Sequence, residues 1–366
     1  MPVSYAIGER FERFVKEQIK SGRYGSESEV LQEALRLMEE REGQLLGGSE
    51  PEAVSKDEGP TNFADSLCDR VLALKTRVCV GLDPDLARFP AFLLKKHGLD
   101  LSSGELSFRG AADCIVEFNR MVIDAVHLHA AIVKPQSAYY EPFGEHGVRA
   151  LRETVEYAAT KNLPVIMDAK RNDIGSTARK YAQAYLGPAR GPERGAIPSD
   201  ALTINPYLGS DGIKPFVELC AKYGRGVFIL VKTSNPSSSE LQNLSLRDEP
   251  RTLAQQVAWL VNEWGKSTIG RHGYSSVGAV VGATHPKDIR ILRDLMPSAV
   301  LLMPGYGAQG AGAEDVKDAF KEKGLGAVVN SSRGILYPCP PDTPDFMDRV
   351  KEQARVMQED LNRVAG

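Results

Sequence analysis

Residues 164–177 read PVIMDAKRNDIGST, a short apolar run that ends in charged residues. Seven further apolar runs of this kind follow residue 62, with helix-forming segments such as VRALRETVEYAATKN between them. They are RVCVGLD, AAIVK, DALTIN, GVFILVK, VGAVVGA, AVLLMPG and GAVVN. Continuous apolar runs are typical of buried parallel strands, because helices cover both faces of the sheet. Eight such units predict an α/β fold, a (β/α)8 TIM barrel, over residues 62–366.

Charged residues end the first three predicted strands: Asp83, Lys134, and the pair Asp168 and Lys170. The carboxyl ends of the strands form the rim that carries the active site in essentially every characterised barrel enzyme, so we expect these groups to lie together. Asp168 and Lys170 are two apart and should face the same side, while Asp173 reaches it only from the loop or across a dimer interface. Opposite charges about 4 Å apart keep one another ionised, which suits a lysine general acid. The same pattern also occurs in structural ion-pair networks.

Three loops at this rim carry groups suited to a substrate. The glycine-rich PGYGAQGAG, residues 304–312, follows strand seven and contains Gln309, and Arg333 follows strand eight. These two loops most often form the phosphate site of a barrel. After strand five, Ser234 opens a Ser-rich run with no helical period before Leu253, and such a length is typical of a lid. A hydroxyl beneath it suits a heterocycle with amide-like edges.

The segment DAKRNDIGST, residues 168–177, matches the D-x-K-x-x-D-I-G-x-T signature of orotidine 5′-phosphate decarboxylases. GLDP, VKP, TINPYLG and PGYGAQG resemble the longer type 2 branch of this family, and the similarity covers residues 62–360. The resemblance implies decarboxylation of orotidine 5′-phosphate to UMP without a metal or an organic cofactor. The same D-x-K pair occurs in sugar-phosphate decarboxylases, which should need magnesium, and Ile174 and Thr177 favour the orotidine member.

The resemblance also implies a role for each site residue. Lys170 delivers a proton to C6 of the pyrimidine, and Asp168 lies against the substrate carboxylate. Asp173 and Thr177 reach the neighbouring subunit's site, which implies a homodimer with shared sites. Asp83 and Lys134 hold the ribose hydroxyls and orient the charged groups, and Ser234 contacts the pyrimidine. The phosphate is held by Gln309 and Arg333. Ile174 and Asn205 make further substrate contacts.

The first 46 residues have a separate pattern. Val3, Tyr5 and Ile7 alternate as in a strand, and two helical patterns follow, the second behind a Ser26–Glu29 capping box. One strand and two helices bury too little surface alone, so the unit should pair its strand with another copy, as ribbon-helix-helix proteins do. The segment also resembles the N-terminal half of ParD-type antitoxins. GGSEPEAVSKDEGPT, residues 47–61, should be a flexible linker.

The role of this front module has three interpretations: a dimerisation appendage, a DNA- or toxin-binding module that makes the chain a bifunctional regulatory protein, and a fusion without a role. Residues 1–48 contain seven Lys or Arg and nine Asp or Glu. This excess of acidic residues does not neutralise DNA phosphates. The dimerisation appendage is therefore the preferred interpretation.

The composition of the chain indicates its compartment and the kinds of partner it binds. The net charge of −3 indicates neither nucleic-acid nor membrane binding. The five scattered cysteines contain no C-x-x-C, which predicts reduced thiols and a cytoplasmic protein. No run of about 20 apolar residues predicts a membrane span. His127 and His129 have no accompanying carboxylate cluster, so no metal site is expected.

Overall fold

The computed structural model describes residues 9–21, 24, 26–31, 34, 61–103, 105–192, 194–307 and 309–366. By its internal contacts the chain divides into two units, Met1–Glu58 and Gly59–Gly366. None of the helices in the described ranges is long and apolar enough to span a membrane.

In the first unit, the described residues form helix α1 (Glu9–Lys20) and a helical segment over residues 27–31. Both were predicted from the apolar spacing. The main-chain N–H of Glu29 donates to Ser26 Oγ over 3.2 Å, which is the first half of the predicted capping box. Val15 and Val30 are buried. The predicted strand over residues 3–7, and the predicted linker except for Thr61, lie outside the described residues.

The second unit is an eight-stranded parallel barrel, which confirms the predicted fold class. Its strands are β1 (Val78–Leu82), β2 (Ile132–Pro135), β3 (Ile166–Arg171), β4 (Ala201–Ile204), β5 (Gly226–Lys232), β6 (Ser275–Val281), β7 (Ala299–Met303) and β8 (Ala327–Ser331). The strands are hydrogen-bonded in the order β2-β1-β8-β7-β6-β5-β4-β3. Parallel bridges from Val133 to Val165 and from Gln136 to Asp168 link the two end strands. Each of the eight strands overlaps the apolar run that predicted it, with ends that differ by at most two residues, because burial on both faces requires such runs.

Helices cover the outside of the barrel. They are α2 (Phe63–Leu74), α3 (Ala91–Lys96), α4 (Phe108–Val126), α5 (Gly144–Thr160), α6 (Gly175–Leu186), α7 (Ser210–Tyr223), α8 (Ser239–Gln242), α9 (Leu253–Gly265), α10 (Pro286–Leu295), α11 (Ala313–Val316), α12 (Arg333–Leu336) and α13 (Phe346–Ala365). The Ser-rich loop between β5 and α9 contains one turn of helix, α8, which the sequence pattern did not predict. One turn is too short to show an apolar period.

Helix α2 packs against the side chains that fill the barrel. Phe63, Leu67 and Val71 belong to the same buried cluster as lumen residues such as Phe228. The rings of Phe63 and Phe228 meet edge to face, with centroids 6.0 Å apart. A Cβ at Gly226 would lie 2.3 Å from the Phe63 ring, so this helix needs glycine where β5 begins. Helix α2 thus packs over side chains at the amino-terminal end of the barrel, and the charged strand ends lie at the opposite rim.

Candidate active site

The charge array predicted at the strand ends is present. Lys134 Nζ lies 2.9 Å from Asp168 Oδ2, and Lys170 Nζ lies 2.7 Å from Asp168 Oδ1. Asp168 and Lys134 are buried, whereas the Lys170 side chain is 45% exposed. The buried ammonium of Lys134 thus fixes the carboxylate, and the ammonium of Lys170 remains accessible to a bound molecule.

Lys134 and Asp168 remain charged although both are buried. Burial alone would lower the pKa of Lys134, but the charges of Asp168 and Asp83 outweigh burial and raise that pKa. Burial alone would raise the pKa of Asp168, and the two lysine ammoniums reverse the effect and hold it well below the usual carboxyl range. Buried charges survive only when they are paired in this way. Lys134 and Asp168 are therefore both ionised at neutral pH.

Two residues that the sequence analysis did not single out complete the environment of Asp168. Thr203 Oγ1 donates to Asp168 Oδ1 over 2.8 Å, and Gln136 Nε2 donates to Asp168 Oδ2 over 2.9 Å. Thr203 stood inside the quoted TINPYLG motif, and Gln136 directly follows the VKP motif. The only sequence signal that they face the rim was their position, Thr203 one residue before the end of β4 and Gln136 directly after β2.

Lys170 has an unusual backbone. Its φ is +44°, in the left-handed region, and the pairing of β3 with β4 shifts register between Met167 and Arg171. Its main-chain N–H donates to Thr203 Oγ1 instead of a strand partner, over 3.0 Å. Such bulges and strained residues occur beside active sites, where they redirect a side chain. Lys170 therefore reaches Asp168 from a bulge and not by the regular alternation that the sequence analysis assumed.

A cavity of about 230 Å³ opens above the array. It is lined by Lys134, Asp168, Lys170, Thr203, Leu230, Thr233, Ser234, Asn235, Val280, Leu302 and Pro304. Lys134, Asp168, Lys170 and Ser234 are the predicted site residues among them. The wall opposite the charges is thus made of apolar strand ends and the loop after β5.

The first of the predicted phosphate loops, after β7, lies beside this cavity, which Pro304 lines. A Cβ on Gly305 would lie 3.2 Å from Gln309 Oε1 and 3.4 Å from Ser234 Cβ, so both side chains lie beside Gly305. Arg333 begins α12, is exposed and has no hydrogen bond or ion pair among the described residues. Its guanidinium donors are therefore available to an anion.

Asp83 lies at the end of β1, close enough to Lys134 for its charge to raise the lysine pKa. Its Oδ1 is buried and has no hydrogen-bond partner in the structure. An unbonded buried carboxylate oxygen is costly, because the group has lost water without gaining a donor. It thus has an accepting position open to a hydroxyl group.

Seven of the predicted residues do not line the cavity: Asp83, Gln309 and Arg333, described above, and Asp173, Ile174, Thr177 and Asn205. Asp173 Oδ1 accepts from the main-chain N–H of Ile174, and Ile174 and Thr177 are exposed at the start of α6. Asn205 Oδ1 accepts from the main-chain N–H of Tyr207. Within one chain these groups surround the site without entering it. No three His, Cys, Asp or Glu side chains in the described ranges are placed to hold a metal ion.

The fold and the array define a β/α-barrel enzyme with a lysine–aspartate site at the carboxyl ends of its strands. A family model described as "Orotidine 5′-phosphate decarboxylase / HUMPS family" matches residues 76–342, and the chain belongs to this family. Curated orotidine 5′-phosphate decarboxylases of Rhodopirellula baltica and Caldicellulosiruptor saccharolyticus are 44% and 42% identical to it. These matches cover 82% and 75% of this chain and 98% and 90% of the relatives. The solved structure of Leishmania donovani OMP decarboxylase superposes with a TM-score of 0.61 at 30% identity, covering 82% of this chain and all of that one.

A second family model, described as "Bacterial antitoxin of ParD toxin-antitoxin type II system and RHH", matches residues 2–57. This match confirms the antitoxin resemblance of the front segment. It extends past residue 46, where the sequence analysis ends the module, into the predicted linker. The boundary at residue 46 stays a prediction.

Proposed function

We propose that the barrel decarboxylates orotidine 5′-phosphate to UMP in pyrimidine biosynthesis. The observation that carries this assignment is the Asp168 carboxylate held between two ammoniums beneath a cavity, in a chain of this family. Loss of the carboxylate as carbon dioxide leaves an electron pair on C6 that the ring does not delocalise. A preorganised positive charge beside C6 is the stabiliser that such a site offers.

Lys170 supplies the positive charge that stabilises the electron pair on C6. The bond from C6 to the carboxylate breaks, its electron pair remains on C6, and a proton from Lys170 Nζ forms the new C6–H bond. Water then returns a proton to the neutral amine. The 2.7 Å ion pair with Asp168 fixes Nζ before substrate arrives, and the partial exposure of the side chain lets it face the ring.

The other side chains hold the substrate. Asp83 and Lys134 take the ribose hydroxyls, which would satisfy the unbonded Asp83 Oδ1. Ser234 contacts the pyrimidine at the edge of the cavity. Gln309 and Arg333 bind the phosphate, where the accessible guanidinium offers a fork of donors. Binding energy from this remote group can close the loop after β5 and increase the rate.

The assay is the loss of the orotate-ring absorbance with purified full-length protein. We expect turnover without added metal and the same rate in EDTA. A chelator-sensitive rate would indicate the magnesium-dependent sugar-phosphate chemistry instead, and no turnover at all would rule the assignment out.

We also propose a homodimer in which Asp173 and Thr177 complete the partner's site, with Ile174 and Asn205 beside them as further substrate contacts. Ile174 is 52% exposed and Tyr207 77% exposed, and both lie beside these polar groups. Large exposed apolar side chains next to polar groups are typical of interaction surfaces. Pairing of two barrels over this face would bury them.

For the front module we propose a dimerisation appendage. Phe14 is 54% exposed in α1, and Leu31 is exposed after it, so apolar side chains are available for a second copy. A gel shift of full-length protein on the DNA upstream of its own gene tests the alternative. Specific retention there, or stable capture of a toxin, would replace dimerisation as the module's role.

We place the protein in the cytoplasm. All five cysteines are free, and four of them are buried. Unpaired thiols are typical of reducing compartments.

A further inference from the structure

A second cavity, of about 480 Å³, lies at the other end of the barrel. It is formed by the segments that lead into β6, β7 and β8, so it lies at the opposite rim from the catalytic array. Its lining includes Arg271, His272, Tyr274, Lys321, Lys323 and Leu325. The volume is within the range of about 300–1,000 Å³ that is typical of small-molecule sites.

Cationic side chains line this cavity, and nearby carboxylates neutralise part of their charge. Arg271, Lys321 and Lys323 line it together with a single carboxylate, that of Glu322. Asp69 pairs with Arg271 Nη2 and His272 Nε2, and Lys321 Nζ donates to the carbonyl of Pro297 over 3.1 Å. The Lys323 ammonium has no hydrogen bond among the described residues. Lys323 is therefore the cation of this cavity that is available to an anion.

Tyr274 gives an independent indication of a ligand. The residue is only 6% exposed and lines the cavity, yet its hydroxyl has no hydrogen-bond partner in the part of the chain that the structure describes. A Cβ placed on Gly326 would lie 3.1 Å from this hydroxyl, so the oxygen is held against the turn before β8. The hydroxyl is not one of the buried side-chain atoms that lack a hydrogen-bond partner, so its oxygen opens into the cavity. Tyrosine hydroxyls usually find a partner, and this donor is available to an acceptor that enters the cavity.

The turns around the cavity are fixed by buried charged groups. Asp65 accepts from the main-chain N–H of Arg271 over 2.9 Å and of His272 over 3.0 Å. Arg77 donates to the carbonyls of Gly324 and Lys323 over 2.8 and 2.9 Å. These bonds hold Lys323 in the left-handed region, with φ +61°. Strained residues persist only where their surroundings determine them, so the cationic side chains project from a preorganised frame.

We propose that this cavity binds a phosphate ester of mononucleotide size. The Tyr274 hydroxyl donates to a phosphate oxygen, and Lys323, Lys321 and the unpaired guanidinium donors of Arg271 balance the charge. Leu325 and Pro297 contact the organic part of the ligand. The site is a second ligand-binding position on the enzyme, separate from the one that performs the reaction.

The test is titration calorimetry of the full-length protein with UMP. We expect two classes of site per chain. Tyr274→Phe removes a hydroxyl that makes no hydrogen bond to the residues that the structure describes, so the melting temperature and the turnover of orotidine 5′-phosphate should not change. The same variant should weaken one class of UMP site about tenfold, because it loses a hydrogen bond to a charged group.

Lys323→Ala should weaken that same class, and the control is Lys351→Ala, which removes one exposed positive charge from α13. The control variant should bind like the unaltered protein, since it changes only the net charge. A single class of UMP site, or two classes that both ignore Tyr274→Phe and Lys323→Ala, would overturn the proposal.

Discussion

Asp168 is the residue around which the site is organised. Its two carboxylate oxygens accept from Lys134, Gln136, Lys170 and Thr203, which come from three strands and the loop after β2. Each partner fixes the position of the others through the shared carboxylate. Hydrogen bonds to a buried charge are stronger than neutral ones and costly to leave unmade.

Replacing Lys170 with alanine should abolish turnover, with kcat lowered about a thousandfold or more, because the stabilising charge and the proton are both lost. Affinity for UMP should change only modestly, since Lys170 acts mainly where charge develops. Arg333→Ala is the comparison and should weaken both UMP binding and turnover. Equal profiles for the two variants would contradict the division of roles.

Thr203→Val keeps the side-chain shape but removes the hydroxyl that bonds to Asp168 and accepts from the Lys170 N–H. We expect a stability loss of about 2 kcal/mol, measured by urea unfolding. The Lys170 bulge should also relax, lowering kcat about tenfold with little change in KM. An unchanged kcat would show that the bulge does not depend on this hydroxyl.

The ionisation of Asp168 gives a pH prediction. Its folded-state pKa is depressed, so its contribution to stability is present above the ordinary carboxyl pKa of about 4 and is lost as pH falls through the folded-state value. The difference in unfolding free energy between the unaltered protein and Asp168→Asn should therefore be the same at pH 7 and pH 5 and shrink only in stronger acid. A difference that declines between pH 7 and pH 5 would contradict the depressed pKa.

At the scale of elements, the loop after β5 is tied to its strand by side chains. Lys232 is 1% exposed, and its Nζ donates to Asn243 Oδ1 over 2.6 Å. The Thr233 N–H donates to Gln242 Oε1, and Gln242 Nε2 donates to Thr233 Oγ1. These bonds place α8 over the strand end from which Ser234 reaches the cavity.

Asn243→Ala should loosen this connection, because it leaves a buried ammonium without its amide partner. We expect KM for orotidine 5′-phosphate to rise about tenfold and kcat to fall less, since the loop positions substrate and does not itself carry the proton. Glu240→Ala, an exposed change in the same short helix, is the control and should leave both constants unaltered. Equal effects of the two variants would refute the role of the Lys232–Asn243 bond.

At the scale of the whole molecule, the barrel and the front module are two parts of one chain that we propose to dimerise. The predicted linker of residues 47–61 would span roughly 20 Å as a flexible coil. Tethering makes the second contact intramolecular and raises its effective concentration to about the millimolar range, which favours a closed dimer. If the front strands of one barrel dimer fail to meet, they must pair between dimers and form tetramers or larger species.

Light scattering over a dilution series tests this assembly, with the full-length protein and a form truncated before residue 61. We expect dimers from both, and decarboxylation that survives the truncation. Concentration-dependent growth of the full-length protein alone would exclude the closed dimer. A monomeric truncated form would contradict the shared-site role of Asp173.

The sequence by itself determined the barrel and the charged rim. Eight apolar runs specify buried parallel strands wherever they occur, and charged residues at their carboxyl ends must meet at one rim. The apolar period that begins at Leu253 also predicted the start of α9. In the structure, Thr252 and Gln255 form a capping box there. These features depend on neighbours in the chain, which a single sequence displays.

Only the tertiary structure decided how the rim is assembled. Gln136 and Thr203 bond to one carboxylate from opposite sides, and Lys170 reaches it from a bulge held by a neighbouring strand. The cavity beside Tyr274 likewise joins three segments that are far apart in the chain. Hydrogen bonds and charges act through space over a few ångströms, so their partners are set by the closure of the barrel and leave no period or motif in the sequence.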